Sequence, residues 1–254
     1  SKMDFKLTDE QVKLRQVFFD VCKELEKQKP AGFTGLESTF GSDEGWEYHH
    51  WCAKEFVKRR WTTLDWPAEY GGHGTMMDRV FFAEARGYHD VPGIDIFGVE
   101  MLAPTILGAG SEDIKRRFLP SIAKMETTWG QLWSEPNAGS DLAALMTSAA
   151  RKGDYYVLNG QKTWSTGCHR VSWSCAVVRT NPQAEKKHQG LTFLLLDMKT
   201  PGITVKPLKY MDGGHYYNEV FLDDVRVPVD NVVGKENQGW AVTQMLAGFE
   251  RSNL

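Results

Sequence analysis

Apolar positions recur at helical spacing through the first half of the chain. Leu14, Val17, Phe18, Val21 and Leu25 share one helix face, and Thr8 with Gln11 forms a capping-box pattern ahead of them. Pro30 and the Gly-, Ser- and Thr-rich run to Gly45 predict a long loop. Further helices are predicted from Trp46 to Arg60, from Met76 to Tyr88, from Ile94 to Leu107 with a break near Pro104, and from Glu112 to Lys124. Ser111 offers an N-cap for the last. Trp66 to Gly74 reads as a rigid turn, with Pro67 fixing one end and glycines freeing the other.

At Trp129 the period changes. Trp129 to Trp133 reads as a strand, ended by Ser134-Glu135-Pro136 because Pro136 lacks a donor and biases Glu135 away from helix. Short strand-like runs follow: Tyr155 to Leu158, Gln161 to Thr166, Trp173 to Arg179, Leu191 to Asp197, Ile203 to Lys209, Tyr216 to Leu222 and Val225 to Val229. Lys152-Gly153-Asp154 and Asn159-Gly160 punctuate them as turns. Such spacing predicts a β-barrel or sandwich. Helical spacing returns with Trp240, Val242, Met245, Leu246 and Phe249. The predicted class is α+β: a helical N-terminal domain over 1–128, a β middle domain over 129–236, and the first helix of a C-terminal helical domain over 237–254.

Composition narrows the function classes. At 254 residues with 41% hydrophobic content, the chain can bury a core large enough for two domains. A net charge of −3 with dispersed basic residues gives no reason to expect nucleic acid or an anionic membrane as partner. Cys22, Cys52, Cys168 and Cys175 make no zinc spacing and read as reduced thiols. His49 and His50 lack ligand-spaced carboxylates or thiols and read as packing residues, so no metal site is expected. Gly71-Gly72-His73-Gly74 has the wrong spacing and no preceding strand for a dinucleotide fingerprint. The N-terminus lacks a signal-like apolar stretch, and no run approaches a membrane span. A cytoplasmic protein is expected, with an organelle matrix open if a targeting segment is removed.

The candidate chemistry lies between Trp129 and Thr166. Ser134 and Thr166 fall near strand ends, and Trp164 shares a strand face with Thr166. Hydroxyls, backbone amides and a large flat side chain suit a planar, acceptor-rich ligand such as a flavin. The competing reading is a core tryptophan beside ordinary turn residues. Glu135, next to Pro136, reads as an acceptor for backbone amides of its own loop, and Asp141 as a turn or cap residue.

Ser134-Glu135-Pro136-Asn137-Ala138-Gly139-Ser140-Asp141 resembles the signature of the acyl-CoA dehydrogenase family. Asn159-Gly160-Gln161-Lys162-Thr163-Trp164-Ser165-Thr166 resembles its second flavin-contacting segment. Trp66-Pro67-Ala68-Glu69-Tyr70-Gly71-Gly72, Arg117-Phe118-Leu119-Pro120 and Phe221-Leu222-Asp223-Asp224-Val225-Arg226-Val227-Pro228 keep the family order, and the likeness runs from about Leu7 to Arg251. The resemblance implies FAD as cofactor, held by Gln131, Trp133, Ser134, Trp164, Ser165 and Thr166. It implies an acyl-CoA substrate met by Ser140 and Arg251, an electron-transfer flavoprotein as electron acceptor, and a homo- or hetero-oligomer. The chain departs from the pattern at Gln131, where an aromatic is common, at the bulky Trp133, and at Ser134, where Thr is common.

The reaction so implied is α,β-dehydrogenation of the thioester. A carboxylate removes the α-proton, flavin N5 accepts the β-hydride, and donors on the thioester carbonyl stabilise the enolate. Glu250, directly before Arg251 on the last predicted helix, stands where some branches of the family carry the base. The competing reading is an exposed Glu-Arg pair. Glu100, or a residue in a C-terminal segment, is the alternative base. The likeness covers the first two domains and only the opening turns of the third, so the chain reads as a fragment or as one that relies on a second chain. An acyl-CoA oxidase, a flavin monooxygenase of the same superfamily and a non-catalytic structural subunit are the other functions carried forward.

Overall fold

The computed structural model describes residues 6–252. The expectation that the N-terminus carries no signal-like stretch falls largely on residues 1–5, which lie outside the described residues. The chain divides into two compact units between Ile94 and Asp95.

In the first unit, α1 (Asp9–Glu26), α2 (Leu36–Gly41), α3 (Asp43–Lys58) and α4 (Met76–His89) follow in order. The Thr8–Gln11 capping box forms as its sequence pattern requires, and Thr75 with Asp78 makes a second one at α4. Ser42 accepts from Gly45 N and starts α3 three residues before the expected Trp46. The loop expected from Pro30 to Gly45 contains α2, so that expectation is corrected. Thr34 N donates to Ser38 Oγ just ahead of it. The core is aromatic: Phe18 meets Trp61 edge-on at 4.7 Å, and Phe56 meets Phe82 at 4.8 Å. His49 is buried and accepts from Gly93 N, and burial pushes its ring down to about 3. In the Trp66 to Gly74 turn, a Cβ on Gly72 would collide with the Trp66 carbonyl oxygen.

The second unit begins with a π-helical segment (Ile96–Leu102) that runs into α5 (Ala103–Ala109), with Pro104 in the first turn of α5. Then come α6 (Glu112–Ala123) and seven strands in one sheet. The strands are β1 (Trp129–Leu132), β2 (Ser148–Lys152), β3 (Tyr155–Thr166), β4 (Trp173–Arg179), β5 (Leu191–Asp197), β6 (Ile203–Leu208) and β7 (Tyr217–Pro228). Their order is β1-β4-β2-β3-β7-β6, with β5 also on β4. β5 is buried from Leu191 through Leu196, and α7 (Gly239–Ser252) packs against it. A helical N-terminal region, a curled β region and a final helix agree with the α+β expectation.

One expected turn and one expected break between strands are corrected. Asn159-Gly160 lies inside β3, and Asp223-Asp224 lies inside β7. The two interruptions face each other across the β3–β7 ladder. Asn159 Nδ2 donates to Asp224 Oδ1 at 3.0 Å, and Asp224 N donates to Asn159 Oδ1 at 2.9 Å. The register shifts there between Leu158 and Gly160. A residue that reads as a turn therefore becomes a kink when its partner strand carries a matching one. Gly160 is also required by space, since an added Cβ would meet the Thr147 side chain.

Candidate functional site

β1 is anchored from below. Trp129 is fully buried, its N–H donates to Asp95 Oδ2 at 2.9 Å, and its ring joins Phe118 and Trp173. Asp95 Oδ1 accepts from Phe97 N at 3.1 Å, so one carboxylate ties the π-helical segment to β1. Burial pushes the Asp95 carboxyl up to about 7, against the amides of Gly98, Trp129 and Phe97.

β1 pairs in parallel with β4 as far as Leu132 opposite Ala176. Beyond it the chain turns toward β3, where Thr163 N donates to Ser134 O at 2.9 Å. Glu135 and Ala138 exchange backbone hydrogen bonds at 3.0 Å and close the turn around Pro136. The Glu135 carboxylate accepts from Met146 N at 2.7 Å and Thr147 N at 2.9 Å, the loop-holding role expected of it. It also lies 2.9 Å from Lys162 Nζ. Burial raises the Glu135 carboxyl, but Lys162 and the two amides outweigh it and leave the group below its ordinary value. Burial pulls Lys162 down to about 8, with Glu135 opposing.

The two motif segments thus meet. Gln131, Trp133 and Ser134 stand on or just beyond β1, and Trp164, Ser165 and Thr166 end β3. Trp164 takes φ 58°, the register on β7 shifts between Lys162 and Ser165, and the indole is 60% exposed. Trp164 and Thr166 share the more open face while Ser165 is buried. Tyr217 meets the Trp164 ring edge-on at 5.8 Å. Asn218, fully buried, donates to Ser165 O and bridges His169 and His215, whose rings stack at 4.1 Å.

Three of these residues bury polar atoms that find no nitrogen or oxygen partner among the described residues. They are Gln131 Nε2, Trp133 Nε1 beside the Cys175 thiol, and Ser165 Oγ beside the Cys168 thiol. An unmet buried polar atom costs about 1–3 kcal/mol, and of the three only Gln131 Nε2 lacks even a thiol neighbour. A flat heterocycle rich in acceptors and donors suits the unpaired Gln131 amide and the open Trp164 ring.

Glu250 on α7 is half-buried, and burial raises its carboxyl against the opposing charge of Arg251. Its charge acts on the Cys175 thiol, and Cys175 stands opposite Gln131 in the β1–β4 ladder. Arg251 is exposed at the end of α7. Ser140 is exposed on the loop after the Pro136 turn, next to Asp141, which pairs with Lys187 at 2.6 Å. Arg179 holds this loop by donating to Ala143 O at 2.7 Å and Leu145 O at 3.0 Å. Sequence reasoning missed Lys162, Arg179 and Asn218. A signal existed for Lys162, because alternation from Tyr156 and Leu158 places it on the buried face of β3. Among the described residues no cluster of His, Cys, Asp and Glu could hold a metal ion, and no helix is long and apolar enough to cross a membrane.

With this geometry in view, comparison with known proteins is direct. The acyl-CoA dehydrogenase N-terminal domain model matches residues 8–126, and the middle domain model matches residues 130–225. The chain belongs to the acyl-CoA dehydrogenase family. Acyl-CoA dehydrogenase IpdE1 of Mycobacterium tuberculosis is 37% identical over 223 residues, which span 87% of this chain and 58% of that protein. The ChsE4–ChsE5 complex from Mycobacterium tuberculosis matches with a TM-score of 0.83 and 32% identity, over 97% of this chain and 61% of that one. The Tcur3481–Tcur3483 steroid ACAD matches with a TM-score of 0.82 and 26% identity, over 99% of this chain and 64% of that one. The chain therefore spans about six-tenths of the length of these relatives.

Proposed function

We propose that this chain is the flavin- and thioester-binding part of an FAD-dependent acyl-CoA dehydrogenase, completed by a further segment or a partner subunit. The carrying observation is the unpaired buried amide of Gln131 and the exposed Trp164 ring, on two motif segments that Lys162 and Thr163 tie together. Gln131, Trp133, Ser134, Trp164, Ser165 and Thr166 hold the cofactor's ring system, and bound FAD supplies the acceptor for the hydride leaving the β-carbon. Glu250 takes the α-proton. Its partial burial, which raises the carboxyl, makes it a stronger base than a solvated glutamate. Ser140 and Arg251 meet the CoA thioester, and an electron-transfer flavoprotein accepts the reducing equivalents. The steroid ACAD among the structural neighbours supports a ring-bearing acyl group as the substrate class.

The test is anaerobic addition of CoA thioesters, from short linear to bulky cyclic, to the FAD-loaded protein in its native assembly. Cyclic thioesters bleach the flavin band, and Glu250→Gln slows bleaching by about 10²–10⁴-fold while FAD stays bound. If no thioester bleaches the flavin, dehydrogenase is the wrong activity. A colourless assembly that takes up no added FAD points instead to a non-catalytic structural subunit.

A further inference from the structure

The β1–β4 ladder stops at an odd place. Its last pair is Leu132 opposite Ala176, and the next in register is Trp133 opposite Val177. In place of that step, the Lys162 ammonium stands between the strands, donating to Trp133 O at 2.9 Å and to Val177 O at 2.8 Å. Its remaining contact is Glu135 Oε1 at 2.9 Å, so the ammonium is surrounded by three acceptors. One residue further along, Thr163 N takes Ser134 O. Successive carbonyls at the end of β1 are thus held by successive residues of β3. Val177 meanwhile stays paired with Phe193 on β5, so β4 itself continues.

The geometry points to a positioning role for the buried Glu135–Lys162 pair: the Lys162 ammonium holds β1 off β4 at Trp133 and steers its end onto β3. That fixes the backbone of Ser134 and of the Trp164 bulge in the register the ligand meets. What the edge binds rests on the flavin reading above; the wedge itself does not.

Lys162 is fully buried and Glu135 nearly so. A buried ion pair is a poor way to gain stability, since apolar side chains of similar volume do as well or better. Such pairs are better explained by a geometry that apolar residues cannot impose. An apolar side chain at 162 cannot bridge two carbonyls. Without the bridge, β1 is free to zip one residue further along β4, which draws Trp133 and Ser134 away from β3. Glu135 prevents that slip from its own side, because its backbone is tied to Ala138 and its carboxylate to Met146 N and Thr147 N. The pair therefore joins β1, β3, β4 and the loop before β2 at one point. Immediately after it, Trp164 adopts its left-handed conformation.

The decisive variant is Lys162→Met with Glu135→Leu, which removes both charges together and leaves no lone buried ion. Hydrogen exchange and FAD titration are measured on the protein in its native assembly. The expected result is a folded sheet in which only 133–135 and 162–166 exchange at least about tenfold faster. FAD affinity falls at least about tenfold and the flavin visible band shifts. Unchanged local exchange with unchanged affinity overturns the proposal. If the unaltered protein binds no FAD, the flavin reading fails while the exchange measurement still decides the wedge. Should the double variant not fold, Glu135→Gln keeps the shape and removes one charge. Faster exchange confined to the same two stretches supports the role, and native exchange there overturns it.

Discussion

Thr8, Ser42 and Thr75 each satisfy a helix end with their own side chain in the N-terminal unit. In the β region, by contrast, Gln131, Trp133 and Ser165 bury polar atoms with no oxygen or nitrogen partner. Backbone conformation differs in the same direction. Positive φ at non-glycine residues of the helical unit falls at Arg60 and Asp90, which sit at the ends of helical elements. In β3 it falls at Trp164, at the bulge near the end of the β3–β7 ladder, where the tryptophan is exposed. The helical unit thus ends its helices with local caps, whereas the β region buries the unpaired Gln131 amide and exposes the Trp164 ring.

The comparison breaks if core damage in the helical unit disturbs the flavin directly. Phe56 is fully buried between Trp61 and Phe82, so Phe56→Ala lowers stability by about 3–5 kcal/mol. The flavin spectrum of the molecules that remain folded stays unchanged, as urea titration followed in the visible band will show.

Acid sharpens the contrast next. Glu135 sits below its ordinary carboxylate value in the folded protein, so it binds protons less readily folded than unfolded. Its contribution is present above the unfolded value of 4.5 and is lost as pH falls through the lower folded value. Urea midpoints below pH 4.5 should therefore drop more steeply for the native protein than for Glu135→Gln.

Ser165→Ala tests the buried hydroxyl beside Cys168. Replacing a buried hydroxyl whose partner is the weakly accepting Cys168 thiol leaves ligand-free stability within about 1 kcal/mol while weakening FAD binding. A larger loss of stability without FAD shows that the hydroxyl is already fully satisfied. Thr166→Val likewise weakens flavin retention and shifts its visible spectrum, and an unchanged spectrum removes Thr166 from the site. The smallest effect belongs to the surface. Lys187→Ala breaks an exposed pair with Asp141 and changes stability by under about 1 kcal/mol, readable by thermal melts.

Much of this architecture is local in origin and was legible in the chain itself. Helix starts at Thr8 and Ser111 follow from side chains three residues from the amides they meet. β4 and β5 begin and end at the residues their apolar runs mark. The paired motifs around Ser134 and Trp164 identified the family because both kept their order and spacing. Tertiary structure decided the rest, because the physical causes are far apart in sequence. Asn159-Gly160 becomes a kink instead of a turn only because Asp224, 65 residues away, supplies the matching interruption. Lys162 becomes a wedge only where Glu135, Trp133 and Val177 converge on one ammonium, and burial in that setting leaves it no other acceptors. Glu250 gains its raised carboxyl only once α7 folds back on the sheet and removes water from it. Spacing alone carries none of these, since each depends on how much solvent the fold excludes and on which distant groups share the space that remains.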